Sequence, residues 1–330
     1  MSHFSISTFI VGLFLFFSIQ VQAQYILQDK DVTVEDGVLK SCSYDGTEIV
    51  IPSHLHGQQI TSIDDGLFFN RKLTSVELPN GLKSIGNSAF KNNNLTSIEL
   101  PSTIKRIEPV AFSENQLTFL KIPESIEYIG FGAFSKNQLT SVKLPKSLKR
   151  INELIFHKNK LTTIELPENL ERIDTDAFYD NELTFVEFPE GLKRIGKGAF
   201  SNNQLTSVEL PDNLQYIGSM AFIRNQLTSV KLPANLKRIE DWTFTSNQLT
   251  SVELPKNLQS IGLEAFSNNK LTSVEFSESL QFIGLRAFSS NSITEITLPN
   301  SSKEGKWYDH DEKVFEKGSI VPIDGKYTFK

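Results

Sequence analysis

The chain has 330 residues, more than one ordinary hydrophobic core supports, because such cores stop growing beyond roughly 250 to 300 residues. Hydrophobic residues make up 39% of the chain and charged residues 22%, which excludes a largely disordered protein. The formal net charge of -6 excludes a general nucleic-acid binder, whose surface needs a basic footprint. Length therefore favours either two domains or a repeat protein, whose core grows one unit at a time.

The first residues match the pattern of a secretory signal peptide. An apolar run over about 6–19 is followed by small residues at 21–23. The run is shorter than the ~20 residues that a membrane-spanning helix needs, which disfavours a membrane anchor. We therefore predict a signal peptide at 1–23, no transmembrane span after its cleavage, and a secreted or cell-surface location.

Residues 24–62 are expected to form an N-terminal cap. They include a degenerate repeat, with five extra residues between the positions that correspond to its Pro and its Ile. His54 and His56 would share one side of an extended strand, where a solvated pair is favoured over two metal ligands. Cys42 is the single cysteine, so the chain has no intramolecular disulfide, and a buried position near the first strand is expected for it.

From 63 to 299 the chain repeats with a period of 22 residues, and eleven copies follow each other without an insertion. The copies begin with a Leu-Thr step, first at Leu73, with Ile293 in place of Leu in the last copy. The first half of a copy ends with a proline, first at Pro79, except at Ser277. A Phe column runs from Phe68 to Phe288 at the same period. Such a pattern is typical of a solenoid, in which stacked units bury a core that no single unit forms alone.

Within one unit, residues 73–79 alternate apolar and polar side chains, which predicts a strand of four or five residues with one buried face. Pro79 lacks the N–H group that would continue the strand. Residues 82–90 have apolar positions near helical spacing around Gly86, for which we expect a short irregular or 3-10 segment. Eleven stacked units would align their strands into a parallel sheet on the concave side, on the order of 50 Å long.

A polar column lies two residues before each Leu-Thr step. Side-chain amides there can satisfy backbone groups that would otherwise be buried without partners, so we assign this column a structural role. Its members are Asn93, Asn115, Asn137, Asn159, Asn181, Asn203, Asn225, Asn247, Asn269 and Asn291.

The unit Leu-x-x-Val-x-Leu-Pro-x-x-Leu-x-x-Ile-Gly-x-x-Ala-Phe-x-x-Asn closely resembles the BspA-like, or Treponema pallidum-type, leucine-rich repeats. The resemblance covers roughly 49–299, although that family commonly has Cys where this chain has Asn. It implies a leucine-rich repeat solenoid in a secreted or surface-exposed protein. It also implies adhesion to host proteins or to other cells.

The C-terminal residues 300–330 depart from the repeat. They resemble the small β modules that end many bacterial surface proteins, and a short β cap over the last repeat is an equally supported interpretation.

The sequence offers little chemistry for catalysis. Its five histidines do not recur at metal-ligand spacing, and the acidic run at 309–312 lacks the spaced oxygen ligands of a calcium loop. No phosphate-binding loop, nucleophile elbow or zinc-binding cysteine set is present. We therefore expect no catalytic residue, no metal, no cofactor and no enzymatic activity.

The outward residues of the predicted strands form two columns on the concave side. Phe119 and Phe185 interrupt the first column, which is otherwise mostly Ser and Thr. Exposed aromatic side chains on a polar sheet are typical anchors of an interface. The alternative is that each covers only a neighbour, since scattered apolar surface residues are common.

The second outward column is mostly acidic, with Glu165 and Glu187 among its members, and is interrupted by lysines such as Lys121 and Lys143. Lysine between acids relieves repulsion across the strands and also presents a charge pattern that a partner can recognise. These four residues join Phe119 and Phe185 in the predicted binding site.

A basic stripe is expected on another side of the solenoid. Its members are Lys105, Arg106, Lys149, Arg150, Arg172, Lys193, Arg194, Lys237 and Arg238. Such a stripe could attract anionic glycans, although a solvated ridge is the simpler interpretation.

The sequence therefore predicts a non-enzymatic protein-binding or adhesion module whose partner is a host, matrix or cell-surface protein. The alternative function is binding of anionic glycans through the basic stripe.

Overall fold

The computed structural model describes residues 24–300, 306–308 and 313–329. The predicted signal peptide and the acidic run at 309–312 lie outside the described residues. The described chain folds into a solenoid of about 12 turns, with parallel strands and almost no helix, which confirms the predicted fold class.

Regular structure in the described residues consists of short β-strands and one 3-10 helix at Asp29–Asp31. The strands are β1 (Tyr25–Ile26), β2 (Val32–Glu35), β3 (Val38–Cys42), β4 (Glu48–Val50), β5 (His54–Leu55), β6 (Gln58–Gln59), β7 (Ser62–Ile63), β8 (Ser75–Glu77), β9 (Ser84–Ile85), β10 (Arg106–Ile107), β11 (Phe119–Lys121), β12 (Tyr128–Ile129), β13 (Ser141–Lys143), β14 (Arg150–Ile151), β15 (Arg172–Ile173), β16 (Arg194–Ile195), β17 (Ser207–Glu209), β18 (Tyr216–Ile217), β19 (Ser229–Lys231), β20 (Arg238–Ile239), β21 (Ser260–Ile261), β22 (Phe282–Ile283), β23 (Glu295–Thr297), β24 (Trp307–Tyr308), β25 (Val314–Phe315), β26 (Ile320–Pro322) and β27 (Tyr327–Phe329).

The first ladder contains the strands that follow each Leu-Thr step. Neighbouring strands pair in parallel with a register of one repeat, so that Phe119 lies opposite Ser141. The ladder is interrupted: β1, β4 and β8 form one sheet, whereas β11 with β13 and β17 with β19 form separate pairs. The single long sheet expected from the sequence is therefore present only in pieces.

Each strand of this ladder in the repeat region is three residues long, not the four or five that were expected. The physical reason lies in the backbone N–H groups of the residues that flank each strand. The N–H group of Leu117 is bound by the side chain of Asn137, and Pro123 has no N–H group to donate. Neither residue can therefore extend the ladder.

A second parallel ladder lies where an irregular or 3-10 segment was expected. In each unit two residues, such as Ser84 and Ile85, form a strand that pairs in parallel with a neighbouring turn, and a four-residue turn follows. This ladder is interrupted between β12 and β14 and between β18 and β20. No 3-10 helix occurs among the described residues of the repeats. The near-helical spacing of apolar residues arises because both the strand and the turn direct side chains into the core.

The Phe column forms a continuous stack in the core. Rings from Phe68 to Phe288 are fully buried, and successive ring centroids lie 5.2 to 6.4 Å apart. Neighbouring paired strands lie only ~4.8 Å apart. Successive turns are therefore farther apart on the Phe side than on the strand side. The first ladder therefore lies on the concave side of the solenoid.

The Asn column bonds the turns to each other. Each side-chain Oδ1 accepts the N–H of the Leu 20 residues earlier, at 2.9 to 3.1 Å. Each Nδ2 donates to two Phe carbonyls, one in the same unit and one in the preceding unit. For Asn159 these are Phe156 and Phe134, both at 3.1 Å. One buried amide thus satisfies three backbone groups and holds two turns in register.

Every turn also contains two residues in the left-handed region, most of which are not glycine. Val110 has a φ of 49°, and the equivalent residue one turn later is Gly132 with a φ of 59°. A β-branched side chain is strained in this conformation, whereas glycine is not.

We expect Val110→Gly to raise the free energy of unfolding by about 0.5–1 kcal/mol, because relief of strain exceeds the entropy cost of a new glycine. The reverse change one turn later, Gly132→Val, should lower it by about 1–3 kcal/mol. A Cβ atom at Gly132 would also lie 3.3 Å from Cγ1 of Val110. Urea denaturation of both variants checks this pair, and a destabilised Val110→Gly would contradict it.

At the N-terminal end, β2 pairs antiparallel with β3 and closes the second ladder, while β1 begins the concave ladder. The five extra residues of the degenerate repeat form a β5–β6 hairpin around His56 and Gly57, both with positive φ. The expectation that His54 and His56 share one side of a strand is wrong, because His56 lies in this turn. Its Nε2 is 2.9 Å from the carbonyl of Val32.

At the C-terminal end, the described part of the tail covers both ladders. β26 pairs antiparallel with β23, and β27 pairs antiparallel with β22. β24 then joins β27, and β25 joins β24. Antiparallel strands thus occupy the edges that would otherwise be free to pair with another chain.

Candidate binding surface

The concave face is the surface formed by the outward residues of the first ladder. Phe119 projects from β11 with 53% of its surface exposed, and Phe185 is 57% exposed at the equivalent position three turns later. The segment that holds Phe185 is not an assigned strand. Three turns at the ladder spacing place the two residues ~14 Å apart.

Each of the two phenylalanines forms the wall of a shallow recess, which we call the Phe119 recess and the Phe185 recess. The Phe119 recess also contains Glu124, Ser141, Lys143, Lys146 and Glu165. The Phe185 recess contains Glu190, Ser207, Glu209, Asp212 and Lys231. The two sets are related position by position by a shift of 66 residues, so the recesses are the same place in two different turns.

The floor of the Phe185 recess differs from that of the Phe119 recess. Phe188 occupies a position that is aliphatic in most other units, and its ring packs edge-on against Phe200 at 5.3 Å and Phe222 at 6.4 Å. The position equivalent to Phe188, 66 residues earlier, is the aliphatic Ile122, and the Phe119 recess is lined by the aliphatic side chains of Val142, Leu144 and Leu166. The Phe185 recess is therefore aromatic on both wall and floor.

The structure brings the predicted site residues to one face. Lys121 lies beside Lys143 in the register of β11 and β13, and Glu165 and Glu187 continue the same column. Glu190, Asp212 and Lys146, which line the recesses, were not predicted. They lie in the loops after the proline positions, and only a comparison of units 66 residues apart in the sequence would have indicated them.

The charges of the concave face have no ion-pair partners in the part of the chain that the structure describes. No salt bridge within 4.0 Å involves any of Lys121, Lys143, Glu165, Glu187, Glu209 or Lys231, and all six side chains are exposed. These charges therefore stay available to a partner.

The basic stripe lies along the second ladder and is largely neutralised. Six of its nine members form ion pairs with carboxylates of the same or a neighbouring unit, and Lys105 with Glu127 and Lys193 with Glu171 are two such pairs. Arg194 stacks on the ring of Tyr216 at 3.9 Å, and Arg106, which is also ion-paired, stacks on Tyr128.

The most buried carboxylate among these ion pairs is that of Asp174, which lies between Arg150 and Arg172. Each guanidinium donates to a different oxygen of the carboxylate, and the arrangement links successive turns. Such charge-assisted bonds stabilise the coil and leave less positive potential for an external anion.

One titratable side chain, His157, is half-buried and directly follows the core residue Phe156. Its Nδ1 is buried without a hydrogen-bond partner, and its ring stacks on Tyr179 with centroids 4.9 Å apart. Burial lowers the pKa of His157, and the ammonium groups of Lys158 and Lys136 lower it further, against an opposing effect of Asp180.

Because the unfolded chain binds a proton at His157 near pH 6.5 and the folded chain binds it only at lower pH, stability should fall as the pH drops below about 6.5. We expect His157→Ser, which copies the residue found one turn earlier at Ser135, to weaken this pH dependence. Urea midpoints of both chains at about pH 7.5 and about pH 5.5 measure the difference. An equal decline in both chains would show that other groups cause it.

Two further observations concern the described residues only. They contain no group of three or more His, Cys, Asp or Glu side chains that could hold a metal ion. They also contain no helix long and apolar enough to cross a membrane.

Stacked parallel turns with a Leu, Ile and Phe core, an Asn ladder and a concave strand face define a leucine-rich repeat solenoid. The model of the BspA type leucine-rich repeat region matches residues 32–162, 150–252 and 237–308. The chain therefore belongs to the BspA-type leucine-rich repeat family.

The chain is similar to solved structures, and the first of them shows the same fold. A leucine-rich repeat protein from Bacteroides ovatus is 25% identical, with a TM-score of 0.65 over 84% of this chain and 88% of that one. A leucine-rich cell surface protein from Faecalibacterium prausnitzii is 23% identical, with a TM-score of 0.45 over 80% of this chain and 86% of that one. No curated protein matches the chain in sequence.

Proposed function

We propose that this chain is a secreted or cell-surface protein without enzymatic activity that binds another protein through its concave face. Phe119 and Phe185 are the apolar anchors of the contact, and Lys121, Lys143, Glu165 and Glu187 give it charge specificity. The partner is a host, matrix or cell-surface protein, in keeping with the BspA-type repeat family.

The observation that carries this proposal is the exposure of the two phenylalanines on the concave face. Eleven other phenylalanines of the repeat are fully buried in the core stack, so exposure at these two positions is a departure from the pattern. An aromatic side chain left in water gains about 1–2 kcal/mol when a partner covers its exposed half. Two such anchors ~14 Å apart fit within an interface of ordinary size.

The charges support the concave face over the basic stripe. Charges without partners can pair directly with opposite charges of another protein, whereas most members of the stripe would first have to give up existing ion pairs. Binding of anionic glycans is therefore the alternative that the experiment must test.

The test is a binding screen of residues 24–330 against extracellular-matrix proteins and an anionic glycan array. We expect a protein partner whose binding is weakened at least about 30-fold by Phe119→Ser with Phe185→Ser, since each anchor contributes about 1–2 kcal/mol. Serine occupies the equivalent position in most other units, so the variant should fold.

The matched control is Phe69→Ser, which removes an exposed phenylalanine far from the concave face and should leave binding unchanged. Binding confined to anionic glycans, unaffected by the double variant and lost in high salt, would assign the site to the basic stripe instead.

A further inference from the structure

We propose that the Phe185 recess receives a basic side chain, Lys or Arg, from the partner protein, whereas the Phe119 recess does not select one. This inference rests on the proposed function, because it assigns the chemistry of one contact on the concave face. It also fixes the orientation of the partner on the concave face, because the two recesses then bind different side chains.

The first support is the difference in charge between two recesses that occupy equivalent positions in the repeat. The Phe185 recess is lined by four carboxylates, those of Glu187, Glu190, Glu209 and Asp212, and by one ammonium group, that of Lys231. The Phe119 recess is lined by three carboxylates and two ammonium groups. Lys143 and Lys146 of the Phe119 recess become Glu209 and Asp212, and Glu165 becomes Lys231 in the opposite sense. The Phe185 recess therefore has three more carboxylates than ammonium groups, whereas the Phe119 recess has one more.

A second difference leaves a carboxylate of the Phe185 recess free to bind a cation. In the Phe119 recess, the Glu124 carboxylate accepts the backbone N–H of Lys146 at 3.0 Å. The equivalent carboxylate, Glu190, has no such bond to Asp212 among the hydrogen bonds of the described residues. All four carboxylates of the Phe185 recess are exposed and outside any ion pair of the described chain.

The aromatic wall and floor suit the rest of a basic side chain. The alkyl part of Lys or Arg packs on apolar surface while its charged end stays near water and carboxylates. A cation within about 6 Å of a ring centroid also gains from the ring itself. This chain shows the same arrangement on its second ladder, where Arg194 stacks on Tyr216 one turn away.

The chain itself does not supply such a cation to Phe185 from its own column. Its neighbours one turn before and one turn after are Thr163 and Ser207, which carry no charge. Lys231 lines the far side of the recess, two turns away from Phe185 in the register of the ladder. The ring, the floor and the excess of carboxylates are thus complementary to a basic group from outside.

The experiment uses a defined probe, N-acetyl-arginine amide, and follows backbone amide signals of residues 24–330 by NMR. N-acetyl-norleucine amide is the control probe, because it has an alkyl side chain without charge. We expect the arginine probe to shift signals at 185–190 and 207–212, and to leave those at 119–124 and 141–146 unchanged. The norleucine probe should have little effect on either recess.

Two reciprocal variants give a matched control, since each copies residues that the equivalent turn already carries. Glu209→Lys with Asp212→Lys should weaken binding of the arginine probe in the Phe185 recess at least about fivefold. Lys143→Glu with Lys146→Asp should create binding in the Phe119 recess. Circular dichroism and thermal midpoints of both variants check that the fold is unchanged.

Shifts of equal size with both probes, or shifts that persist in the first variant, would overturn the proposal. So would a wild-type Phe185 recess that shows no shift at low salt, where charges are least screened. The proposed function is decided separately by the screen with the double Phe variant. A protein partner whose binding needs both phenylalanines but is unaffected by Glu209→Lys with Asp212→Lys would leave the function standing and contradict this inference.

Discussion

Replacing Asn159 with leucine is expected to lower the free energy of unfolding by about 3–5 kcal/mol. The side chain accepts the N–H of Leu139 and donates to the carbonyls of Phe134 and Phe156. Leucine is similar in size but offers neither donor nor acceptor, so three buried backbone groups lose their partners at once. Each such group costs about 1–3 kcal/mol, less what local relaxation recovers.

The matched control for this prediction is Asn169→Ala, which removes an exposed asparagine ten residues later. It should change the stability by less than about 0.5 kcal/mol. Urea denaturation followed by circular dichroism measures both variants. A loss below about 1 kcal/mol for Asn159→Leu would mean that water reaches these backbone groups and that the ladder is not required for stability.

Phe178→Ala is expected to destabilise the solenoid by about 3–5 kcal/mol, because it opens a cavity in the middle of the Phe stack. Phe178 is fully buried and stacks on Phe156 at 5.6 Å and on Phe200 at 5.3 Å. Each turn contacts only its neighbours, so the loss should weaken the coupling between the two halves of the coil. Hydrogen exchange should therefore become faster first in the turns around residue 178.

Phe185→Ala is the matched control, since it removes the same ring only seven residues away. Phe185 is 57% exposed, so its loss should cost less than about 1 kcal/mol of stability. Thermal denaturation of the two variants gives the comparison directly. Equal destabilisation would show that Phe185 supports the fold, and would remove the main argument for a binding role.

The repeat pattern was sufficient to predict the solenoid and its family. Identical columns at one period impose the same environment on every turn, so the position of Leu117 or Phe134 in one unit determines its equivalent in all others. Local details were less predictable. The three-residue strands depend on hydrogen bonds from the Asn column, and the second ladder depends on how the turn at Ser88 or Val110 enters the left-handed region.

The candidate site was partly visible in the sequence. Phe119 and Phe185 stand out because they interrupt a column of small hydroxyl residues. Their recesses could not be predicted from the sequence, because Glu190 and Asp212 lie in different loops that only the stacking of the turns brings together. The neutralised state of the basic stripe was equally hidden, since Arg150 and Asp174 are 24 residues apart in the chain.

The sequence by itself determined the period, the buried columns and the two exposed aromatic residues, because a repeat places every side chain by its position in the unit. Only the tertiary structure decided which charges are free and which are paired. Ion pairing depends on distances between side chains of neighbouring turns, and those distances follow from the curvature and register of the stack. The Phe185 recess and its excess of carboxylates are properties of that stacking and of no single unit.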